Sequence, residues 1–202
     1  MEILKDKLSD DSLKDEVGQL LSEVEKLNSL TLSLLKLANL NSGKTELNIN
    51  KFRLDETLLD VIRLIRKEAE KKNTVFRLSV NEPVTMEGDE NQIKCALMNI
   101  IDNAVKYSLP KTSIDIDISV VNDTCIITVE DRGHGISSKD IKNIFNRFFR
   151  SNETKSIVQG NGLGLAITKD ILRLHQGNIN IESKEGLGTK VIITLPISVN
   201  LT

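Results

Sequence analysis

The sequence NIIDNAVKYS, residues 99–108, lies in a stretch from about 89 to 107 whose apolar residues have helical spacing. Asn99 and Asn103 are four positions apart and Lys106 is three further on, so the three side chains lie on one helix face. Amide oxygens suit Mg²⁺, and a lysine ammonium suits phosphate. This face is therefore a candidate site for a metal-bridged polyphosphate. The alternative is a solvated helix face that binds nothing.

Two glycine-containing motifs follow this helix. DRGHGI (131–136) comes after an apolar strand, and its Asp131 can accept a hydrogen bond from an exocyclic amine while Gly133 and Gly135 let a ligand approach the backbone. GNGLGLAI (160–167) precedes an apolar helix, where exposed N–H groups bind anions. Its GxGxG spacing, with no strand leading into it, differs from a dinucleotide-binding fingerprint. Each motif alone is also compatible with a simple turn.

From about residue 50 onward, helical and strand periods alternate. Asn122-Asp123 is typical of a tight turn between two strands of a hairpin. Mixed hairpins and helices predict an α+β fold, a two-layer α/β sandwich. The predicted helices are 55–72, 89–107 and 163–175, and the predicted strands are 74–81, 113–120, 124–130, 178–184 and 189–195.

Residues 1–45 have a different pattern, that of a single long helix. Ser12 is typical of the residue that caps the start of a helix, and residues 41–43 are typical of a helix end. A seam of this length favours a partner helix, and additional leucines beside it favour a four-helix bundle. A core helix of a single domain is the alternative. The seam residues, spaced alternately by four and three, are Leu13, Val17, Leu20, Val24, Leu27, Thr31, Leu34 and Ala38.

Composition excludes several classes of protein. The 202 residues are 39% hydrophobic and 28% charged with a net charge of -2, and no basic patch indicates nucleic acid binding. No apolar run approaches a membrane span, and the start MEILKDKLSDD lacks the apolar core of a signal peptide, so the chain as given is expected to be soluble. Cys95 and Cys125 have no metal-motif spacing and are expected to be reduced and packed.

The order and spacing of the motifs resemble the histidine kinase branch of the ATPase family that also contains DNA gyrase B, the chaperone Hsp90 and the repair protein MutL (the GHKL family). NIIDNAVKYS is similar to the N box of that branch and DRGHGI to its G1 box. FNRFFR (145–150) is similar to its F box, GNGLGL (160–165) to its G2 box, and GTKVIITLP (188–196) to its closing strand.

The resemblance covers residues 50–197 and implies a domain organisation. Residues 46–202 correspond to the Bergerat-type ATP-binding catalytic domain. Residues 1–45 correspond to the end of helix 1 and all of helix 2 of the dimerisation region, part of a dimeric four-helix bundle. The resemblance further implies that the chain is the cytoplasmic portion of a membrane-anchored sensor kinase, attached to the membrane only through upstream segments.

The resemblance also implies roles for individual residues, with Mg-ATP as the ligand. Asn103 is expected to bind Mg²⁺. Asn99 and Lys106 are expected to lie near the phosphates and to be the catalytic residues. Asp131 accepts from the adenine amino group, commonly helped through water by Thr189. The other implied ATP contacts are Tyr107, Gly133, Gly135 and Ile136 beside the base, Arg147, Phe148 and Arg150 in a mobile lid spanning about 137–162, and Gly160, Gly162, Leu163, Gly164 and Leu165 at its phosphate end.

Position 99 separates kinases from hydrolases in this wider family. Members that hydrolyse ATP have a Glu four residues before the Mg-binding Asn, where its carboxylate acts as general base on water. The chain has Asn99 there, and an amide cannot take a proton at neutral pH. We therefore expect the site to hold ATP without rapid hydrolysis, as a kinase must.

The two histidines, His134 and His175, both lie outside the amino-terminal helix. The acceptor histidine is therefore expected upstream of Met1, and this chain alone is not expected to autophosphorylate. The implied function is an ATP-dependent histidine autokinase whose phosphate passes to an aspartate of a response regulator, with homodimerisation through residues 1–45. The alternatives are a hydrolytic switch or chaperone-type ATPase and a non-enzymatic nucleotide-binding dimer scaffold.

Overall fold

The chain divides into two compact units, Met1–Lys44 and Thr45–Thr202. The computed structural model describes residues 11–41, 47–151, 158 and 160–198. Some of the sequence predictions lie outside the described residues: the end of a preceding helix at 1–8, the helix stop at 42–43, and part of the expected lid at 152–157 and 159.

The described part of the first unit is one helix of 31 residues, α1 (Asp11–Asn41). The long amino-terminal helix predicted from the heptad pattern is confirmed. Its apolar seam is open to water in the single chain, since Leu20 is 66% exposed and Leu27 is 62% exposed. An exposed stripe of this length favours a partner helix. None of the helices in the described ranges is long and apolar enough to cross a membrane.

The second unit is an α+β domain whose longer elements agree with the sequence prediction to within about two residues. Its helices are α2 (Leu54–Lys71), α3 (Glu90–Tyr107) and α4 (Gly164–Leu174). Its strands are β1 (Asn50–Arg53), β2 (Val75–Val80), β3 (Thr85–Gly88), β4 (Ser113–Val121), β5 (Thr124–Asp131), β6 (Asn178–Lys184) and β7 (Gly188–Pro196).

Five strands form a mixed sheet in the order β2-β4-β5-β7-β6. β2 and β4 are parallel, and the other neighbours are antiparallel. Alternate side chains of the central strands, such as Ile116, Ile127 and Ile193, are buried, while the residues between them are partly exposed. One face of the sheet therefore carries the core, and α2, α3 and α4 pack on it. This arrangement confirms the two-layer sandwich.

The two shortest strands were not predicted. β1 and β3 have four residues each and pair antiparallel, with Phe52 opposite Met86. Four residues are too few to show a period of two, and the partners lie far apart in the sequence. The β4–β5 hairpin, by contrast, turns at Asn122 and Asp123 as predicted, with positive φ angles of 50° and 59°.

A buried histidine joins α4 to the start of α3. His175 has 0% exposure, and its Nε2 accepts from the backbone N–H of Asp89 at 3.0 Å. Its Nδ1 lies 2.8 Å from the carbonyl oxygen of Ile171, to which it donates as the neutral tautomer. Asp89 is the N-cap of α3 and accepts from the N–H of Gln92. The ring therefore fixes the relative position of the two helices.

Burial lowers the pKa of His175 below its usual value, because the charged imidazolium is disfavoured in the core. The neutral form is therefore favoured by folding, and its contribution to stability is present above about pH 6.5 and lost as the pH falls below that value. We expect His175→Ala to lower the free energy of unfolding by about 2–4 kcal/mol at pH 7.5. The cost should shrink towards pH 5.

Urea unfolding of both proteins between pH 5 and 8 measures this difference. His134→Ala is the matched control, since the hydrogen bond of His134 that fixes the loop is made by its backbone N–H to Tyr107 and survives the substitution. A destabilisation by His175→Ala that stays constant across this pH range would contradict the assigned neutral state of the ring.

Candidate functional site

The predicted helix face and the glycine loop meet at Asn99. Its Nδ2 donates to the carbonyl oxygen of Gly164 at 3.2 Å and to the Oγ1 of Thr168 at 3.3 Å. These partners lie in the first turns of α4, so the side chain ties the middle of α3 to the start of α4. The structure thereby brings the first and third sequence motifs together, and Asn99 has a structural role beside its predicted one.

Lys106 lies on the same face of α3, one turn beyond Asn103. Its ammonium pairs with the carboxylate of Asp102 at 2.5 Å, and the side chains are 41% and 33% exposed. A pair this exposed contributes at most about 1 kcal/mol, so a phosphate can displace the carboxylate. Asp102 is a site neighbour that the sequence reasoning missed, although its spacing of four from Lys106 is the usual signal for such a pair.

Asp131 is the last residue of β5 and is buried, with 6% of the residue exposed. Burial is the main cause that raises its pKa to about 7, and the charge of Glu130 acts in the same direction. The backbone N–H groups of Thr189 and Gly133 act in the opposite direction. Oδ1 has no hydrogen-bond partner among the described residues. A buried acceptor left unpaired is costly and fits a donor supplied by a ligand.

The glycines of the second motif lie against backbone. A Cβ on Gly133 would lie 2.1 Å from the carbonyl oxygen of Tyr107, and one on Gly135, where φ is +68°, would lie 2.1 Å from the carbonyl oxygen of Lys184. The N–H of His134 donates to the Tyr107 oxygen at 3.3 Å. The motif is therefore held against the end of α3 on one side and the end of β6 on the other.

Thr189 lies beside Asp131 as a cross-strand partner between β5 and β7. Its Oγ1 is 2.9 Å from the Oγ of Ser183, and that hydroxyl also lies 2.9 Å from the backbone N–H of Ile136, which donates to it. Ser183 thus connects the predicted Thr189 with the predicted Ile136. No sequence pattern pointed to Ser183, because its link to the glycine motif is a contact with Ile136, which lies 47 positions away in the chain.

The start of the expected lid is a series of tight turns with no regular helix or strand between residues 137 and 151. Phe148 has a φ of 63°, is 57% exposed, and its N–H donates to the carbonyl oxygen of Gly162 at 2.9 Å. Arg147 lies 3.8 Å from the carboxylate of Asp170 on α4. Arg150 donates to the carbonyl oxygen of Val158. Both predicted lid arginines therefore have protein partners here.

The third motif leads directly into α4. Leu163 is fully buried as the N-cap, and none of the described side chains caps this helix start. The first N–H groups of α4 are therefore not used by a capping side chain, and the helix dipole favours an anion there. Gly160 is exposed, with no atom of the described residues within 4 Å of a Cβ built on it, and Leu165 is partly exposed.

These contacts bring the three motifs into one site. Asn99 touches the start of α4, the end of α3 touches the glycines at 133–135, and Asp131 faces Thr189. The site combines an amide and ammonium face, an uncapped helix start and a buried unpaired carboxylate oxygen. An amine-bearing base and a polyphosphate are the chemical groups that this combination fits.

The fold is that of a two-layer α+β domain, and the chemistry of the site fits the class of such domains that bind ATP. A family model described as the histidine kinase-, DNA gyrase B- and HSP90-like ATPase matches residues 88–199. The chain belongs to this family, and within it to the histidine kinase branch that the sequence motifs predict.

Two relatives and one solved structure illustrate the similarity. The heme sensor protein HssS of Staphylococcus saprophyticus is 30% identical over 194 residues, which cover 96% of this chain and 41% of HssS. The sensor histidine kinase WalK of Bacillus subtilis is 32% identical, covering 87% of this chain and 29% of WalK. Histidine kinase AdeS of Acinetobacter baumannii shares the fold with a TM-score of 0.77 at 24% identity, over 96% of this chain and 89% of that chain.

Proposed function

We propose that the chain is the catalytic part of a histidine autokinase, which binds Mg-ATP and transfers the γ-phosphate to a histidine on a dimerisation helix. The chain spans about two fifths of the length of HssS. The activity of a complete sensor kinase is therefore assigned to this chain only as part of the proposal. The phosphate then passes to an aspartate of a response regulator. The chain would act as the cytoplasmic part of a membrane-anchored receptor.

The observation that carries this proposal is the amide at position 99. Asn99 lies on the site face of α3 and uses its Nδ2 as a donor to Gly164 and Thr168. A general base must accept a proton from water, and an amide held in this way cannot. The site therefore favours retention of ATP until an acceptor arrives.

The geometry of the site supports the roles proposed for the other residues. The unpaired Oδ1 of Asp131 accepts from the exocyclic amine of adenine, and the uncapped start of α4 receives the phosphates. The amide of Asn103 and the ammonium of Lys106 are the matching groups for Mg²⁺ and phosphate. Bound Mg²⁺ would neutralise the charge that develops on the phosphates. These residues thereby orient the nucleotide and hold its charge.

Dimerisation belongs to the same proposal. The apolar seam of α1 is exposed in the single chain, as Leu13, Val24 and Leu34 also show. Pairing with a second copy would remove this surface from water and give a dimer in which two catalytic domains are connected to one helical bundle. The domain assignment of residues 1–45 as dimerisation region and 46–202 as catalytic domain is part of this proposal.

The test is incubation with γ-labelled ATP and Mg²⁺, following released phosphate and base-stable label on the protein. We expect bound nucleotide, little phosphate release and no label on this chain, because neither of its histidines lies on α1. A longer protein that includes a preceding helix with a histidine should become labelled on that histidine. Steady phosphate release at the rate of a dedicated ATPase would instead favour the hydrolytic alternative.

The variant Asn99→Glu tests the role of position 99 in Mg-ATP binding and in stability. We expect it to retain Mg-ATP binding, because the amide is not the main ligand of the base or the metal. The loss of the donor to Gly164 and Thr168 should lower the free energy of unfolding by about 1–3 kcal/mol. Calorimetric titration and thermal unfolding measure the two effects. Complete loss of Mg-ATP binding in a folded Asn99→Glu protein would contradict this assignment.

A further inference from the structure

An ammonium group from α2 holds the end of the helix that carries the site. Lys72 is the C-cap of α2, and its Nζ donates to the carbonyl oxygens of Val105 at 2.9 Å, Lys106 at 2.5 Å and Ser108 at 3.2 Å. All three acceptors lie at the carboxyl end of α3. Carbonyls at this end of a helix have no partners within the helix, and the helix dipole favours a cation there.

The backbone that delivers this ammonium is itself fixed. The N–H of Lys72 donates to the carbonyl oxygen of Ala69 at 3.1 Å, and its carbonyl oxygen accepts from the N–H of Lys111 at 2.9 Å. Lys72 is partly buried, and burial lowers the pKa of its amine below the usual value. The group is therefore an anchored, partly desolvated donor and differs from a lysine that moves freely in water.

The remaining carbonyls of this helix end are also occupied. The oxygen of Tyr107 accepts from the N–H of His134 in the glycine motif, and the oxygen of Ala104 accepts from the hydroxyl of Ser108 at 2.6 Å. The end of α3 thus lies between Lys72 on one side and the glycine motif on the other. Lys106 and Tyr107, two of the proposed ATP contacts, are in this held segment.

We propose that Lys72 is a positioning residue of the nucleotide site, which acts by holding the carboxyl end of α3 so that Lys106 and Tyr107 face the bound nucleotide. This role rests on the proposed function, since it takes these two residues as contacts of ATP. Among the described residues, the Lys72 ammonium donates to backbone carbonyls at the carboxyl end of α3 and to no side chain. Its effect on ATP is therefore indirect.

The test compares Mg-ATP binding by the full chain and its variants, using calorimetric titration at a temperature where circular dichroism shows each protein folded. Lys72→Met keeps most of the side-chain length and removes the donors, and we expect the Kd of Mg-ATP to rise about tenfold. Lys72→Arg keeps charge and donors and should bind within about threefold of the wild type. Lys71→Met is the matched control, because the Lys71 side chain is 69% exposed and pairs with the exposed Glu68 one turn earlier on the same helix.

Amide hydrogen exchange without nucleotide gives a second readout, with faster exchange expected in Lys72→Met at residues 106–109 and unchanged exchange in β5. If Lys72→Met does not fold, Lys72→Gln replaces it in the comparison with Lys72→Arg. A folded Lys72→Met protein with the wild-type Kd overturns the role of Lys72 and leaves the proposed function intact. A wild-type chain that binds no Mg-ATP overturns the proposed function itself.

Discussion

Asp131→Asn is expected to stabilise the nucleotide-free protein and to abolish tight binding of Mg-ATP. A pKa of about 7 against the ordinary value of 3.8 means that ionising this carboxyl costs more in the fold than in the unfolded chain. At pH 8 this extra cost of ionisation lowers the free energy of unfolding by about 4 kcal/mol. An amide of the same shape avoids that cost and can still accept from the backbone N–H groups of Thr189 and Gly133. We therefore expect a gain of about 2–4 kcal/mol in the free energy of unfolding at pH 8.

The sign of the pH dependence follows from the raised pKa. Below about pH 4 the carboxyl is protonated in both the folded and the unfolded chain, so it costs nothing. The cost appears as the pH rises from 4 through about 7 and is complete above that value. The stabilisation by Asp131→Asn should therefore be largest at pH 8 and fade towards pH 4, which urea unfolding across this range measures.

Binding should change in the opposite direction to stability. The unpaired Oδ1 is the acceptor we assign to the adenine amine, and an asparagine that keeps its oxygen towards the backbone donors presents an NH₂ group there. Two donors would then face each other, so we expect Mg-ATP binding to weaken at least about 100-fold. In the wild type, binding of adenosine, which has no phosphate to titrate, should weaken as the pH falls below about 7.

Asp117→Asn is the matched control, since Asp117 lies on β4 with its side chain on the sheet face opposite the core. It should change neither stability nor binding by more than about 0.5 kcal/mol. An Asp131→Asn protein that binds Mg-ATP as tightly as the wild type would remove Asp131 from the site. An Asp131→Asn protein that is less stable than the wild type at pH 8 would contradict the unpaired, buried state of the Asp131 carboxylate.

If both effects are found, Asp131 is a residue that is kept for binding at a cost in stability. The folded protein would then lose stability by keeping the Asp131 carboxylate buried and unpaired, and this acceptor would already be desolvated when a ligand brings its donor. Cys125 is also buried and titratable, but its role is core packing. Burial raises the pKa of its thiol to about 12, so it stays neutral, and its side chain packs in the core as predicted.

The sequence predicted the parts of the site that act through local periodicity. The register of α3, which places Asn99, Asn103 and Lys106 on one face, follows from apolar spacing alone. The site glycines are recognisable because few other residues have their conformational range. Longer strands such as β4 alternate clearly, which is why the sheet was predictable as well.

The parts that were not predicted act through contacts between distant segments. Lys72 reaches three carbonyls on another helix, and Ser183 joins Thr189 to Ile136 across the end of β6. Side chains that bond to backbone elsewhere leave no period in the sequence, so a lysine at the end of α2 looks like any solvated lysine. The structure is needed to show which of the chain's charged residues are anchored.

Gly133→Ala should be the most disruptive small substitution in the site. The added Cβ would lie 2.1 Å from the carbonyl oxygen of Tyr107 and 2.8 Å from the Oδ1 of Asp131. The Tyr107 oxygen belongs to the backbone and already accepts from the N–H of His134, so it cannot move without breaking the contact between α3 and the glycine motif. We expect a loss of about 3 kcal/mol or more in the free energy of unfolding.

Mg-ATP binding by Gly133→Ala should be lost at any temperature where the protein remains folded, because the methyl group displaces both the end of α3 and the Asp131 acceptor. Gly160→Ala is the matched control: it also lies in a glycine motif of the site, but a Cβ there meets no described part of the chain within 4 Å. It should change stability by no more than about 0.5 kcal/mol. Thermal unfolding and calorimetric titration of the two variants separate the effects. Equal stability in both would mean that the approach of Gly133 to Tyr107 does not limit the fold, and the close packing of the glycine motif against α3 would then be wrong.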